Sequence, residues 1–488
     1  MKFSLQKYGI WIVLAGLVYF PLFGHLSSLP LRIWDESRLA VNALEMLENG
    51  NIWVTYFDGM PDMWNTKPPL MIWLQALMMK LFGKDVLAVR LPAALAALGT
   101  VLILVFFAAR YLQSRFVGFA AALVLITSKG YVCLHGTRTG DYDALLTFFV
   151  LGSALAYFLF LEKNNIRYLY LFFANLALAC LTKGISGLFL LPALFIYTIY
   201  RKKLWSILSN KHTHSGIIGF LVIVFGYYFI REHFNPGYLK AVWENELGGR
   251  FLTVIEDHNA GFWFYFHNLI SYRYTYWFIF ALSGGLLGLF YRNKHINRFS
   301  SFALIVVLSL LLLISVAKTK LDWYDMPIYP FTALLVGIFI HYCFSLLQSV
   351  EKRQNILKKP ILAYLFLAIL FLKPYQEIIA DTYKPQENSW DKEVFYVEYF
   401  FKDALRDKND LNNYFILHTG YHAHILFYYK ILREKGVNIN FKDYKELLPN
   451  DLVIFHQKNV TEYLNEHYNY DIIAQKDNAI QAKINEPK

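Results

Sequence analysis

Residues 300–317 read Ser300-Ser301-Phe302-Ala303-Leu304-Ile305-Val306-Val307-Leu308-Ser309-Leu310-Leu311-Leu312-Leu313-Ile314-Ser315-Val316-Ala317, with no charge between Arg298 and Lys318. A helix of this length is about 27 Å long, close to the ~30 Å hydrocarbon core of a bilayer. Comparable runs recur near 9–28, 89–112, 115–134, 143–161, 168–183, 184–200, 215–232, 267–290, 326–348 and 360–374, giving about eleven expected spans. Of the 488 residues 56% are hydrophobic and only 17% charged, against about a quarter charged in soluble proteins. The chain therefore reads as a polytopic α-helical membrane protein.

The net charge of +11 is not a nucleic-acid signature, because the basic residues collect in short connectors between spans. Arg110 and Arg115; Arg201, Lys202, Lys203 and Lys211; Arg292, Lys294 and Arg298; and Lys352, Arg353, Lys358 and Lys359 stand where acids are nearly absent. That is the positive-inside pattern of cytoplasmic loops, so no nucleic-acid partner is expected. Starting inside, alternation puts the same connectors in the cytoplasm and residues 29–88, 135–142, 233–266, 318–325 and the tail on the outer face. The expected location is the inner (cytoplasmic) membrane, multi-pass. Cys133, Cys180 and Cys343 form no short-spaced pair, so neither a disulfide framework nor a zinc knuckle is indicated. The N-terminal apolar run lacks a small-x-small cleavage site and reads as the first span.

Within a membrane domain over 1–374, the loops 29–88 and 233–266 carry most of the outer polar groups. From Glu36 to Leu47, Leu39, Ala43, Leu44 and Leu47 recur at helical spacing, with Asn42, Glu45 and Glu48 elsewhere, and Asn49-Gly50 ends the pattern. This predicts a helix along the membrane interface. A second short helix is expected from Leu70 to Phe82, after Pro68-Pro69. Residues 375–488 change in composition. Tyr414–Leu417 and Leu452–Phe455 read as buried strands flanking a helix at 422–435, with more strands near 472–474 and 479–482, so a small C-terminal α/β domain is expected on the outer side.

The chemistry-bearing residues begin with Trp34-Asp35-Glu36-Ser37-Arg38 and Asn65-Thr66-Lys67-Pro68-Pro69-Leu70. Asp35 and Glu36 alone read as a helix N-terminal cap, and Lys67 as a snorkelling lysine. Further polar groups predicted on the same face change that weighting: Arg138-Thr139-Gly140-Asp141-Tyr142-Asp143, Thr182-Lys183-Gly184 and Lys318-Thr319-Lys320-Leu321-Asp322-Trp323-Tyr324. Ionisable groups near a bilayer are costly unless they are solvated, paired or used. The loop 233–266 adds Glu244, Glu246, Arg250, Glu256, Asp257 and His258, then Phe262–Tyr265, which read as an aromatic belt. Glu256, Asp257 and His258 are candidate divalent-metal ligands together with Asp35.

Asp35-Glu36-x-Arg38, the Glu45–Gly50 turn and Lys67-Pro68-Pro69-Leu70 resemble GT-C superfamily membrane glycosyltransferases, in the branch holding protein O-mannosyltransferases and aminoarabinose lipid A transferases. Thr182-Lys183-Gly184 and Lys320-Leu321-x-x-Tyr324 extend the likeness. The resemblance implies a polyprenyl-phosphate-linked sugar donor and a glycolipid, lipid A-like or protein acceptor. It makes Asp35 the base or the group orienting the acceptor hydroxyl. Arg38, Lys67, Lys183, Arg250 and Tyr324 become donor-phosphate ligands. Glu36, Arg138, Asp141 and Asp143 are the candidates for the sugar and acceptor pocket. The lipid A transferases carry Glu before Lys-Pro-Pro, where this chain has Thr66; His258 matches their second metal ligand in position. No cofactor is required by this reading, and a divalent metal at His258 stays open, as does the acceptor. The implied reaction is a single displacement with inversion. The alternatives are a transporter or flippase of a lipid-linked sugar, which would favour internal repeats and charges at the bilayer midplane, and an envelope scaffold displaying the C-terminal domain.

Overall fold

The computed structural model describes residues 5–247, 260–354, 361–383 and 389–488. The chain divides into two compact units. The first comprises Met1–Leu26, Met63–Leu74 and Arg90–Lys384; the second comprises Ser27–Asp62, Gln75–Val89 and Pro385–Lys488.

The first unit is helical. Among the described residues seven helical segments are long and apolar enough to cross a membrane: Val86–Arg110, Asp143–Lys163, Ile166–Leu188, Lys211–Phe234, Lys294–Val316, Asp322–Arg353 and Ile361–Tyr383. The expected number of about eleven is not reached by this criterion, because several apolar runs are interrupted. The run at 115–134 is helical only over Arg115–Ile126. There the Thr127 and Ser128 hydroxyls donate back to the carbonyls of Leu123 and Val124, at 2.6 and 2.5 Å, and compete with helix continuation. The run at 184–200 begins with Gly184 at φ +53°, passes through a 3₁₀ turn over Gly184–Leu188 and becomes α-helical only over Leu191–Tyr200. The run at 267–290 is split into Phe264–Asn268, a π turn over Leu269–Arg273, and Phe278–Leu289.

Asp143–Lys163 and Ile166–Lys183 pack as a helical hairpin. Asn164 turns the chain in the left-handed region, and the Asn165 side chain caps the second helix by accepting from the Arg167 amide. A two-residue turn brings the start of the first helix beside the end of the second. Asp143 at a positive helix N-terminus thus faces Lys183 at a negative C-terminus, and both charges complement the macrodipoles.

In the second unit, strands β1 (Tyr56–Phe57) and β2 (Met60–Pro61) form a short hairpin. A five-stranded sheet is built from β3 (Tyr414–Ile416), β4 (Ile439–Phe441), β5 (Leu452–Phe455), β6 (Tyr468–Lys476) and β7 (Ala479–Pro487), in the order β4-β3-β5-β7-β6. The β3–β4 and β3–β5 pairs are parallel, while β5–β7 and β6–β7 are antiparallel. Leu417, Val453, Phe455, Val460, Leu464, Ala482 and Ile484 form a core for the sheet. The short edge strand β4 and the helices Ser389–Leu405 and Lys458–His467 were not anticipated from the sequence. β4 is only three residues long, and both helices mix apolar positions with many charges.

The helix predicted from Glu36 spans Asp35–Asn49, with Gly50 at φ +70° returning its amide to Met46. It packs against Ala423–Glu434 of the same unit. Its polar residues are not left on a wet face: Glu36, Asn42 and Glu45 are all buried. Asn42 donates to the Tyr56 carbonyl at 2.7 Å and to Asp62 at 2.9 Å, while Glu45 accepts from the Gly59 amide at 3.0 Å and pairs with Lys430 at 3.1 Å.

Candidate active site

Lys67, Asp143, Lys183 and Tyr324 line one cavity of about 370 Å³ in the first unit. Glu246, Ser186 and Thr319 complete its polar end, and Leu146, Val150, Leu310, Leu313 and Ile314 supply an aliphatic wall. The Lys183 ammonium donates to both oxygens of Asp143, at 2.6 and 2.8 Å, and lies 5.2 Å from the centre of the Tyr324 ring. Both charges are almost wholly buried, a position tolerated only because each neutralises the other.

Lys67 is held by a different set of neighbours. Its ammonium is 3.5 Å from Glu246 and 5.5 Å from the centre of the Tyr142 ring. The segment carrying it is tied down at three points. Tyr142 donates to Asn65 at 3.0 Å, Tyr238 to the Thr66 carbonyl at 2.7 Å, and Asn245 to the Met63 carbonyl at 3.2 Å. Two prolines follow, and the helix Leu70–Phe82 starts directly after them. Thr66 is fully buried, and its hydroxyl donates to Glu246 at 3.4 Å. The carboxylate beside Lys67 thus comes from residue 246, far along the chain. Nothing local separates Glu246 from Glu244 in the sequence; only the contact with Lys67 does.

The remaining candidates have other placements. Arg138 donates to the carbonyls of Pro21 and Gly24, at 3.2 and 2.7 Å, satisfying the end of the helix Leu5–Phe23. Burial, with Arg90 nearby, lowers its pKa to about 10. Asp141 is buried, accepts from Thr139 and lies 3.5 Å from His135, whose ring stacks on Trp323 at 3.8 Å.

Asp35, Glu36 and Arg38 belong to the second unit. Glu36 accepts from the Arg32 amide at 2.8 Å, tying the segment before the helix to its first turn. Arg38 grips Asp62 with Nε and Nη2, at 2.9 and 2.8 Å, and its guanidinium lies 4.2 Å from the centre of the Phe57 ring. Asp35 is half-buried at the first position of its helix. Nearby, burial pushes the Tyr421 phenol up to about 12, so it stays protonated and donates to the Trp34 carbonyl at 3.2 Å. Arg250, Glu256, Asp257 and His258 lie outside the described residues, so of the expected metal ligands only Asp35 is described.

An amphipathic cavity in a multi-pass helical protein, with the pairs Lys183–Asp143 and Lys67–Glu246 among its polar lining and an aliphatic wall beside them, sets the class as a membrane protein with a lined internal pocket. The comparisons narrow that class. Residues 66–228 match the family of dolichyl-phosphate-mannose-protein mannosyltransferases. A protein of Aquifex aeolicus (strain VF5) is 26% identical over 383 residues, 76% of this chain and 70% of that one. An undecaprenyl phosphate-alpha-4-amino-4-deoxy-L-arabinose arabinosyl transferase of Aeromonas salmonicida is 27% identical over 320 residues, 64% of this chain and 56% of the transferase. The fold is shared with the crystal structure of ArnT from Cupriavidus metallidurans bound to undecaprenyl phosphate, with a TM-score of 0.71 at 14% identity over 98% of both chains. It is shared more distantly with the oligosaccharyltransferase AglB of Archaeoglobus fulgidus, with a TM-score of 0.52 at 12% identity over 87% of this chain and 64% of that one. The chain resembles GT-C membrane glycosyltransferases of the branch that includes the protein O-mannosyltransferases and the aminoarabinose transferases.

Proposed function

We propose that this protein transfers a sugar from a polyprenyl-phosphate carrier to an acceptor hydroxyl on the outer face of the membrane. The single observation that carries the reading is the cavity with Lys67 and Lys183 at its polar end and Leu146, Val150, Leu310, Leu313 and Ile314 along its side. A polyprenyl phosphate needs that combination: cations for the head and an apolar wall for the first isoprene units.

Phosphate is a competent leaving group, so the protein's task is positioning and charge stabilisation. Lys67 and Lys183 neutralise the charge that develops on the departing phosphate. Asp143 holds the Lys183 ammonium and faces the sugar, while Glu246 competes with the phosphate for Lys67. By resemblance, Asp35 takes the proton of the acceptor hydroxyl as it attacks the anomeric carbon, in one displacement with inversion. Arg38 is proposed as the brace of its loop, because its fork is engaged by Asp62. Arg250 stays among the phosphate ligands on the resemblance alone. The acceptor is a glycolipid, lipid A-like, or a protein hydroxyl, and the pentose or hexose is left unassigned. No step is routed through a metal.

Purified full-length protein in nanodiscs tests the donor site directly. Undecaprenyl phosphate should bind the wild type, and Lys67→Met and Lys183→Met should each weaken it at least tenfold with the fold retained. Undiminished binding in both variants would sink the assignment. Mass spectrometry of envelope lipids and proteins with and without the gene would then identify the sugar and its acceptor.

A further inference from the structure

The second unit buries a group of histidines that the transferase reading does not use. His418 follows β3, His456 follows β5, and His424 lies in the first turn of the helix Ala423–Glu434 that leaves β3 for β4. The β3 connection runs to β4 on one side of the sheet, and the chain beyond β5 runs to β6 and β7 on the other. The carboxyl ends of β3 and β5 therefore flank a switch point, where open α/β sheets offer a crevice for ligands. The two strand ends are clasped together: Gln457 accepts from the Thr419 amide at 2.7 Å and donates to the Thr419 carbonyl at 2.9 Å.

Each of the three rings presents a buried nitrogen with no hydrogen-bond partner: Nδ1 of His418, Nδ1 of His456, and both nitrogens of His424. His424 is only 1% exposed. Buried polar atoms are rarely left in this state, and each instance calls for an explanation. The tautomer of His418 follows from its neighbour. Its Nε2 lies 3.0 Å from the Tyr421 carbonyl, which can only accept, so Nε2 carries the proton and Nδ1 presents a lone pair. A carbonyl fixing the far nitrogen is the usual support of a metal-ligating histidine.

We propose that His418, His424 and His456 bind one divalent transition-metal ion of the zinc type at the carboxyl ends of β3 and β5. The ring centroids are 5.3 Å apart for His418–His456, 5.7 Å for His418–His424 and 6.5 Å for His424–His456. With metal–nitrogen bonds of about 2.0–2.1 Å, two rings on one ion at a tetrahedral angle have centroids roughly 5 Å apart, which the first two pairs approach and the His424–His456 pair exceeds. As placed, no three of these nitrogens lie within 4.8 Å of one another, so the ion gathers them by side-chain rotation. An all-imidazole set suits zinc, copper or nickel and not magnesium or calcium. His422 is the built-in control. It lies 6.2 Å from His418, but its Nδ1 contacts the Gly420 carbonyl at 3.2 Å and its Nε2 is 3.9 Å from Asp58.

The test uses the full-length chain, purified without a histidine tag and exposed to Zn²⁺ or Co²⁺ alone. One Zn²⁺ per chain should survive gel filtration, raise the midpoint of thermal unfolding and be displaced by a chelator. Co²⁺ should give the intense visible absorption of a low-coordinate nitrogen site. His424→Gln and His456→Gln should each weaken Zn²⁺ binding about 10- to 100-fold, and His422→Gln should leave it unchanged. The proposal is overturned if the wild type retains no Zn²⁺ and its Co²⁺ spectrum is that of the hydrated ion. It is equally overturned if affinity survives His424→Gln or depends on His422. Should a variant fail to fold, the Co²⁺ spectrum of the His258→Gln chain, which removes the other candidate histidine ligand, decides.

Discussion

Two ion pairs, one in each unit, hold similar charges in different surroundings. In the second unit Arg38 presents a planar fork to both oxygens of Asp62 and is covered by Phe57. Asn42 adds a further donor to the same carboxylate. All of these contacts lie within the second unit. In the first unit the compact ammonium of Lys183 bridges Asp143 on the wall of a cavity, and Lys67 stands on the same wall beside Glu246. The contrast shows that burial and pairing do not by themselves mark a working charge. Under the proposed function the mark is an opening beside the pair into which an anion can enter. The choice of lysine fits, since a point charge on a flexible stem exchanges one anionic partner for another more readily than a bidentate arginine does.

The largest effect should come from the cavity lysines. Lys67→Met and Lys183→Met are each expected to lower transfer by about 10²–10³-fold, the scale for losing a charge-stabilising donor, measured as sugar transferred per chain in proteoliposomes. Lys183→Met also leaves Asp143 buried without its partner. The double variant Lys183→Met/Asp143→Leu should recover stability without recovering transfer, and recovery of both would make the pair architectural like its counterpart.

Arg38→Met should cost about 3–5 kcal/mol, the penalty for stranding a buried carboxylate, read from chemical or thermal unfolding. Arg38→Met/Asp62→Asn should regain most of that and bind undecaprenyl phosphate within about threefold of the wild type. A tenfold loss of binding in the stable double variant would return Arg38 to the phosphate site.

Glu246→Gln removes the acid competing for Lys67 and should tighten undecaprenyl phosphate binding by up to about tenfold, discounted for partial solvent screening. Weaker binding would mean that the carboxylate positions the lysine rather than competing for it. The smallest effect is expected at Gly50, whose φ of +70° has open space around it. Gly50→Ala should cost only about 1 kcal/mol through backbone strain, with transfer unchanged.

How much of this was legible in the sequence depends on the range over which each feature is set. The helices Asp35–Asn49 and Leu70–Phe82 and the strands β3 and β5 fall where local pattern put them. Helical periodicity, the Asn49-Gly50 stop and the Pro68-Pro69 start are all encoded within a few residues. The number of spans was less legible, because Thr127, Ser128 and Gly184 break apolar runs through hydrogen bonds and backbone angles that hydropathy does not register. Lys67, Asp143, Lys183 and Tyr324 could be singled out as polar groups near span ends, but nothing in their spacing paired Asp143 with Lys183 or brought Glu246 to Lys67.

The sequence by itself determined that this is a multi-pass membrane protein with a small α/β domain, because apolar runs and strand patterns are local, additive signals. It also carried the resemblance to a lipid-linked sugar transferase, through short motifs around Asp35 and Lys67. Only the tertiary structure decided which charges close on each other, as Arg38 does on Asp62, and which border a cavity, as Lys67 and Lys183 do. It alone gathered His418, His424 and His456 at the ends of two parallel strands. The physical reason is common to all of these cases: the energy of a buried polar group depends on its partner and its exposure, and both are properties of packing between segments distant in the chain.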